Sequence, residues 1–178
     1  MGQDKVLGEE RRQLLLKWLK ETRDPITGSE LARRTNVSRQ VIVQDISLLK
    51  AKNEPIIATA QGYLYIQQTT TQQAFRVIAC KHTPEQMEKE LHLIVDFGVT
   101  VKDVIVEHPV YGEITASLRL NNRRDVHHFI NGMNSTHATL LSDLTGGIHL
   151  HTLEGTDESQ LDACINALGR EGFLLPRE

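Results

Sequence analysis

The sequence predicts an α+β chain of two domains: a winged helix-turn-helix over residues 1–66 and a ferredoxin-like βαββαβ sandwich over residues 74–178. Three observations carry this expectation. Three helical patterns followed by a glycine-bearing pair of β-rich runs occupy the first 66 residues. From Ala74 onward, short apolar runs alternate with helical faces. Between the two lies Gln67-Gln68-Thr69-Thr70-Thr71-Gln72-Gln73, which has no apolar residue to lend a core and reads as a linker.

In the first part, Leu14, Leu15, Trp18 and Leu19 recur at helical spacing within residues 9–22, and Asp24-Pro25 closes that helix. Thr27-Gly28-Ser29-Glu30 has the form of a capping box and predicts a second helix over 28–35. Asn36-Val37 makes a tight turn. Ser38 then caps a third helix reaching about Lys52, with Ile42, Ile46 and Leu49 turned inward. Ile56-Ile57-Ala58-Thr59 and Tyr63-Leu64-Tyr65-Ile66 pair as a hairpin about the turn Ala60-Gln61-Gly62.

Placing Ile42, Ile46 and Leu49 inward leaves Gln40, Val43, Gln44 and Ser47 on the opposite face, with Ser38 and Arg39 at the leading end. Glutamine suits bidentate contact with adenine and arginine with guanine, while a serine at a helix N-terminus suits a phosphate. For a helix standing alone, a solvated polar face would be the simpler account. Three helices and a hairpin in this order favour a reader of double-stranded DNA. The turn between the strands lacks lysine and arginine, so the third helix is expected to supply most of the specificity.

The second part predicts strands over 75–81, 101–107, 113–120 and 148–153 and helices over 84–97, 124–133 and 158–169. Its most informative run is Gly146-Gly147-Ile148-His149-Leu150-His151, because on a strand the i, i+2 spacing aims both imidazoles at one face. His82 sits where the first strand hands over to its helix, ahead of a capping box Thr83-Pro84-Glu85-Gln86. Met87, Leu91, Ile94 and Val95 form that helix's apolar face, and Glu90 lies at its edge. The first strand and the His149/His151 strand are expected side by side in mid-sheet, which lets three imidazoles converge with one carboxylate. Such a donor set favours zinc, nickel, iron, cobalt or manganese over calcium or magnesium. A buried histidine satisfied within a core is the ordinary alternative for any one of them. His127 and His128 are expected on the surface, and His92 and His137 have no evident partner. His108-Pro109-Val110-Tyr111-Gly112 forms a turn that serves either as plain structure or to present an imidazole and a phenol to a ligand.

The totals set limits on function. With 39% hydrophobic and 24% charged residues the composition is globular, no apolar run reaches the roughly 20 residues of a membrane span, and no signal segment opens the chain. A cytoplasmic protein without membrane partners is expected. Two cysteines, Cys80 and Cys164, supply neither a disulfide framework nor a four-cysteine zinc knot, and both are expected as small buried hydrophobes. Residues 1–66 hold 11 Lys/Arg against 8 Asp/Glu, and residues 67–178 hold 9 against 15. The first part therefore suits a phosphate surface better than the second.

A winged helix joined to Lys81-His82 and Glu90, to His108-Pro109-Val110-Tyr111-Gly112 and to Leu144-Thr145-Gly146-Gly147-Ile148-His149-Leu150-His151-Thr152 resembles a known group. These are the bacterial transcription repressors with a C-terminal three-histidine (3H) domain, specifically the nicotinate-responsive repressors of NAD biosynthesis and niacin uptake genes. The likeness covers essentially the whole chain. It implies a homodimer on a palindromic operator, nicotinic acid as co-repressor, and one divalent transition metal per subunit, nickel, zinc or similar. The ligands it implies are His82, Glu90, His149 and His151, with His108 and Tyr111 as candidates for touching nicotinic acid. No enzymatic activity is expected, since no second carboxylate or general base neighbours the ligands in sequence. A metal-sensing regulator and a metal-dependent hydrolase fused to a DNA-binding domain are the alternatives.

Overall fold

The computed structural model describes residues 7–66 and 73–176. Of the expected linker, only Gln73 falls among the described residues. The chain divides into two compact units, Met1–Thr69 and Thr70–Glu178.

The first unit runs α1 (Gly8–Glu21), α2 (Gly28–Thr35), α3 (Arg39–Ala51), β1 (Ile56–Thr59) and β2 (Gly62–Tyr65). The expected caps form: Thr27 Oγ1 accepts the Glu30 N–H at 3.1 Å and Ser38 Oγ accepts that of Val41 at 3.4 Å. Asn36 takes a left-handed conformation, φ 52°, and reverses the chain between α2 and α3. Leu15, Leu19, Leu31, Ile42, Ile46 and Leu49 fill the core. The hairpin is anchored to the loop before α2 by an antiparallel bridge between Ile26 and Tyr63. Gly62 permits that approach, since a Cβ there would stand 2.5 Å from the Ile26 carbonyl oxygen.

One feature of this core has no apolar signature. Arg11 stands one turn before Leu15 on the inward stripe of α1, and its Nε donates to Asp45 Oδ2 of α3 at 2.5 Å. Both side chains are buried, and Arg12 Nη1 reaches the other Asp45 oxygen at 3.2 Å. The carboxylate thus ties α1 to α3. Asp45→Ala takes away the carboxylate that balances two guanidinium groups, one of them buried, and should cost about 3 kcal/mol in urea unfolding.

The second unit runs β3 (Ala74–Lys81), a 3₁₀ turn Pro84–Gln86, α4 (Met87–Asp96), β4 (Thr100–His108), β5 (Gly112–Leu120), α5 (Arg123–Thr136), a 3₁₀ turn Leu141–Thr145, β6 (Ile148–Gly155) and α6 (Glu158–Arg170). The predicted order βαββαβα stands. Across the sheet the strands lie β3-β6-β4-β5, every neighbouring pair antiparallel. It follows that β3 and β4 run parallel with β6 between them, and β5 and β6 parallel with β4 between them. Two split β-α-β units interlock, as in a ferredoxin-like sandwich, in a permuted order. The β3 and β6 strands are neighbours as expected, but β3 lies at an edge instead of mid-sheet. The segment after α6 covers that edge: Lys81 N–H donates to the Phe173 carbonyl and Leu175 N–H to that of Ala79, both at 2.9 Å. Of the helices, α4 packs against α5, α6 and β4, and α6 lies over β3 and β6.

Candidate metal centre and nucleic-acid interface

The pairing of β3 with β6 sets Cys80 opposite His149 and Ile78 opposite His151. Period-two alternation then places Cys80, His149 and His151 on the helix-covered face, where both histidines are 3% exposed. His82 follows β3 immediately and its side chain is equally buried. Glu90, expected at the edge of the apolar face of α4, is wholly buried instead. Its carboxylate is the centre of the cluster. Oε2 lies 2.7 Å from Nε2 of His82 and 3.5 Å from Nε2 of both His149 and His151.

The imidazoles are aimed by their other nitrogens. Nδ1 of His82 stands 2.8 Å from the Thr83 carbonyl oxygen, that of His149 2.9 Å from Gly147 O, and that of His151 2.6 Å from Asp103 O. A carbonyl can only accept, so each Nδ1 carries the proton and donates it. In the neutral rings each Nε2 is then a bare lone pair turned to the interior. Three lone pairs and a carboxylate facing one another demand positive charge. Without it, protons meet part of that demand. Burial works against charge on His82 and His151, but Glu90 raises both above the ordinary histidine value. Burial likewise opposes charge on Glu90, yet the histidines hold its carboxyl well below the usual range.

A divalent cation meets the same demand. Glu90 Oε1 is buried with no hydrogen-bond partner among the described residues, an orphan acceptor that a cation would satisfy. Backbone carbonyls orienting ligand histidines through Nδ1 are the usual outer shell of a metal site. On this chemistry His82, Glu90, His149 and His151 fit a transition-metal ion.

Two backbone irregularities build the site. Between Val101↔Leu153 and Ile105↔Leu150 the ladder holds one more residue on β4 than on β6, a bulge that turns the Asp103 carbonyl toward His151. Asp103 Oδ1 also accepts the Thr152 N–H at 2.9 Å, replacing the ladder bond that the bulge removes. At the head of β6, Gly147 has φ +91° and presses on the chain at His82, where an added Cβ would stand 2.4 Å from the His82 carbonyl oxygen. Gly146, φ +61°, meets nothing within 4 Å.

Against the cluster lies a cavity of about 160 Å³. Its inner end is His82, Glu90, His149 and His151, and Leu91, Val104, Leu118, Phe129 and Met133 supply apolar walls. Thr139 and Ser142, from the stretch after α5, are also part of its lining. His108 and Tyr111 are not. Their turn joins β4 to β5 at the end of the sheet, where His108 Nδ1 accepts the N–H groups of Val110 and Tyr111 at 3.2 and 3.3 Å and Tyr111 is 77% exposed. That nitrogen closes its own turn. His127, His128 and His137 are on the surface, and His92 is half-buried.

In the first unit, Ser38, Arg39, Gln40, Val43, Gln44 and Ser47 are all exposed along one side of α3. Ser38 Oγ is occupied as the helix cap, and Ser47 Oγ donates to Val43 O at 2.8 Å, so the free hydrogen-bonding groups on this side are Arg39, Gln40 and Gln44 in the main. Cys80 was read from the sequence as a small buried hydrophobe and Leu91 as part of an apolar helix face, neither as part of a site; Cys80 had a signal, since it stands two residues before His82 on a strand.

Comparison with known proteins gives the family. An HTH domain profile matches residues 11–64 and a 3H domain profile matches residues 75–177, more than half of the chain. The chain belongs to the 3H-domain family. Among curated relatives of this 3H-domain chain, it is 58% identical over 173 residues to "Transcription repressor NadR" of Bacillus subtilis (strain 168), covering 96% of each. It is 38% identical over 171 residues to "Probable transcription repressor NiaR" of Thermotoga maritima, covering 96% of this chain and 97% of that one. No described helix is long and apolar enough to cross a membrane.

The two glycines at the head of β6 separate strain from collision. Gly146→Ala should cost about 1 kcal/mol, the ordinary penalty of a left-handed residue. Gly147→Ala must also move the His82 backbone and should cost more, up to about 3 kcal/mol, with a lower melting temperature than Gly146→Ala in the same buffer.

Proposed function

We propose that this chain is a homodimeric, DNA-binding transcription repressor of NAD biosynthesis and niacin uptake genes, with nicotinic acid as co-repressor. One divalent transition metal per subunit is held by His82, Glu90, His149 and His151. The observation that carries the reading is the cavity, in which apolar walls lead to one end of converging imidazoles and a carboxylate. A void of roughly 150 Å³ with apolar walls takes up a benzene-sized ring. The ring of nicotinic acid matches the walls, and its carboxylate matches a cationic inner end. The bound ion would supply that positive charge to the acid.

The chain's own residues do the rest. The Nδ1 donors fix three rings so that no side chain must reorganise when the ligand arrives. Leu91, Val104, Leu118, Phe129 and Met133 shut water away from the polar end, which strengthens its electrostatics. Nicotinamide lacks the negative charge and should bind far more weakly. At the operator, Arg39, Gln40 and Gln44 read base edges in a major groove, and a dimer meets two half-sites about one helical turn apart. The names of the relatives support the repressor assignment.

Calorimetric titration of nicotinic acid into zinc- or nickel-loaded and chelator-stripped protein tests the reading. Binding of the acid to the loaded form only, with little for nicotinamide, is the expected result. Binding that survives chelation or His149→Ala removes the metal from sensing, and metal-dependent operator binding that ignores the acid makes the metal itself the signal. On DNA, Gln44→Ala should cost about 1–3 kcal/mol on the best operator in a mobility-shift assay and relax preference at one position in each half-site.

A further inference from the structure

We propose that Cys80 is a fifth protein donor to the ion held at this cluster, so that a thiolate joins three imidazoles and one carboxylate. The inference rests on the metal reading above and goes beyond the four ligands it names. Cys80 is fully buried on the inward face of β3, directly opposite His149 and two residues before His82. Its Sγ, a carboxylate oxygen of Glu90 and a ring nitrogen of His149 all lie within 4.8 Å of one another. An ion placed centrally among three atoms so spaced stands at most about 2.8 Å from each, so an inward shift of about half an ångström brings all three to the 2.0–2.3 Å of a bond. The second indication is the carboxylate itself: Glu90 Oε1 is buried and has no hydrogen-bond partner among the described residues.

Cys164 provides the contrast. It is equally buried, on α6, and belongs to no group of possible ligands among the described residues. Burial alone therefore does not bring a thiol to this cluster. When Cys80 coordinates, its thiol proton leaves to solvent and the ion takes its place on sulfur. The consequences are chemical. A thiolate makes the site softer, turning it away from manganese and toward zinc, nickel, cobalt or ferrous iron. Five protein donors also leave an octahedral ion one position for an outside ligand.

Cobalt(II) added to the full-length, chelator-stripped protein is the probe. In the wild type and in Cys164→Ser, a sulfur-to-cobalt charge-transfer band in the near ultraviolet should accompany the visible d–d bands. In Cys80→Ser the d–d bands should persist and the charge-transfer band vanish, with zinc affinity reduced at least about 10-fold. X-ray absorption of the zinc-loaded wild type should show a sulfur neighbour near 2.3 Å, a measurement that stands even if the variant does not fold. Cobalt bound without the band and no sulfur shell on zinc overturns Cys80 as a ligand while leaving the four-ligand site intact. A band that survives Cys80→Ser, or is lost in Cys164→Ser, also overturns it. No uptake of cobalt or zinc by the wild type overturns both this inference and the metal half of the proposed function.

Discussion

Three ring N–H groups donating to three backbone carbonyls hold the second unit's site in its working form. Thr83, Gly147 and Asp103 come from a loop, a strand head and a bulge, yet each accepts from Nδ1 of one histidine. The result is a set of Nε2 lone pairs whose direction is fixed by main chain. Glu90 completes it from the helix above, fully buried in a place where an uncompensated carboxylate would be costly. The cluster therefore makes sense only with positive charge inside it. The neighbouring cavity, its apolar walls and its polar end follow from where that charge must sit.

The first unit obeys a different constraint. Its core is made by a short apolar stripe on each of three helices and is locked by the Arg11–Asp45 pair, leaving the far side of α3 clear of structural duty. Ser38 and Ser47 spend their hydroxyls on the helix itself. Long side chains without such local partners, Gln40 and Gln44 above all, are then the ones with reach. Division of labour between a structural face and a reading face is what a major-groove helix requires.

Much of this was legible in the sequence where the signal is local. The capping box at Thr83, the Asn36 turn and the His149/His151 alternation depend on residues within four positions of each other, and each is found as predicted; at Thr27 the cap forms, but Glu30 turns its carboxylate to Arg33 and Arg34 and leaves the box half made. Of the long-range features only the neighbourhood of β3 and β6 was legible. The strand order, the β4 bulge and the approach of Gly147 to the His82 carbonyl depend on which segments meet, and nothing near Asp103 in sequence announces that its carbonyl will orient a ring 48 residues away. Glu90 was read at the edge of its helix face from its angular position, with its carboxylate tilted toward the sheet; its full burial depends on what the sheet sets opposite, which no local pattern shows. The turn at His108 was left open between plain structure and a ligand contact, and the ring's bond to its own turn is a contact that the residue types alone do not announce.

The pleat of β6 carries a further implication. His149 and His151 share the inner face with Cys80 only in the register that sets Cys80 against His149. Sliding β6 by one residue would send both imidazoles to the opposite side, and sliding β3 would do the same to Cys80; either slip disperses the donors. An ion at this cluster would thus act as a proofreader of strand alignment, binding the correctly zipped sheet and no slipped one.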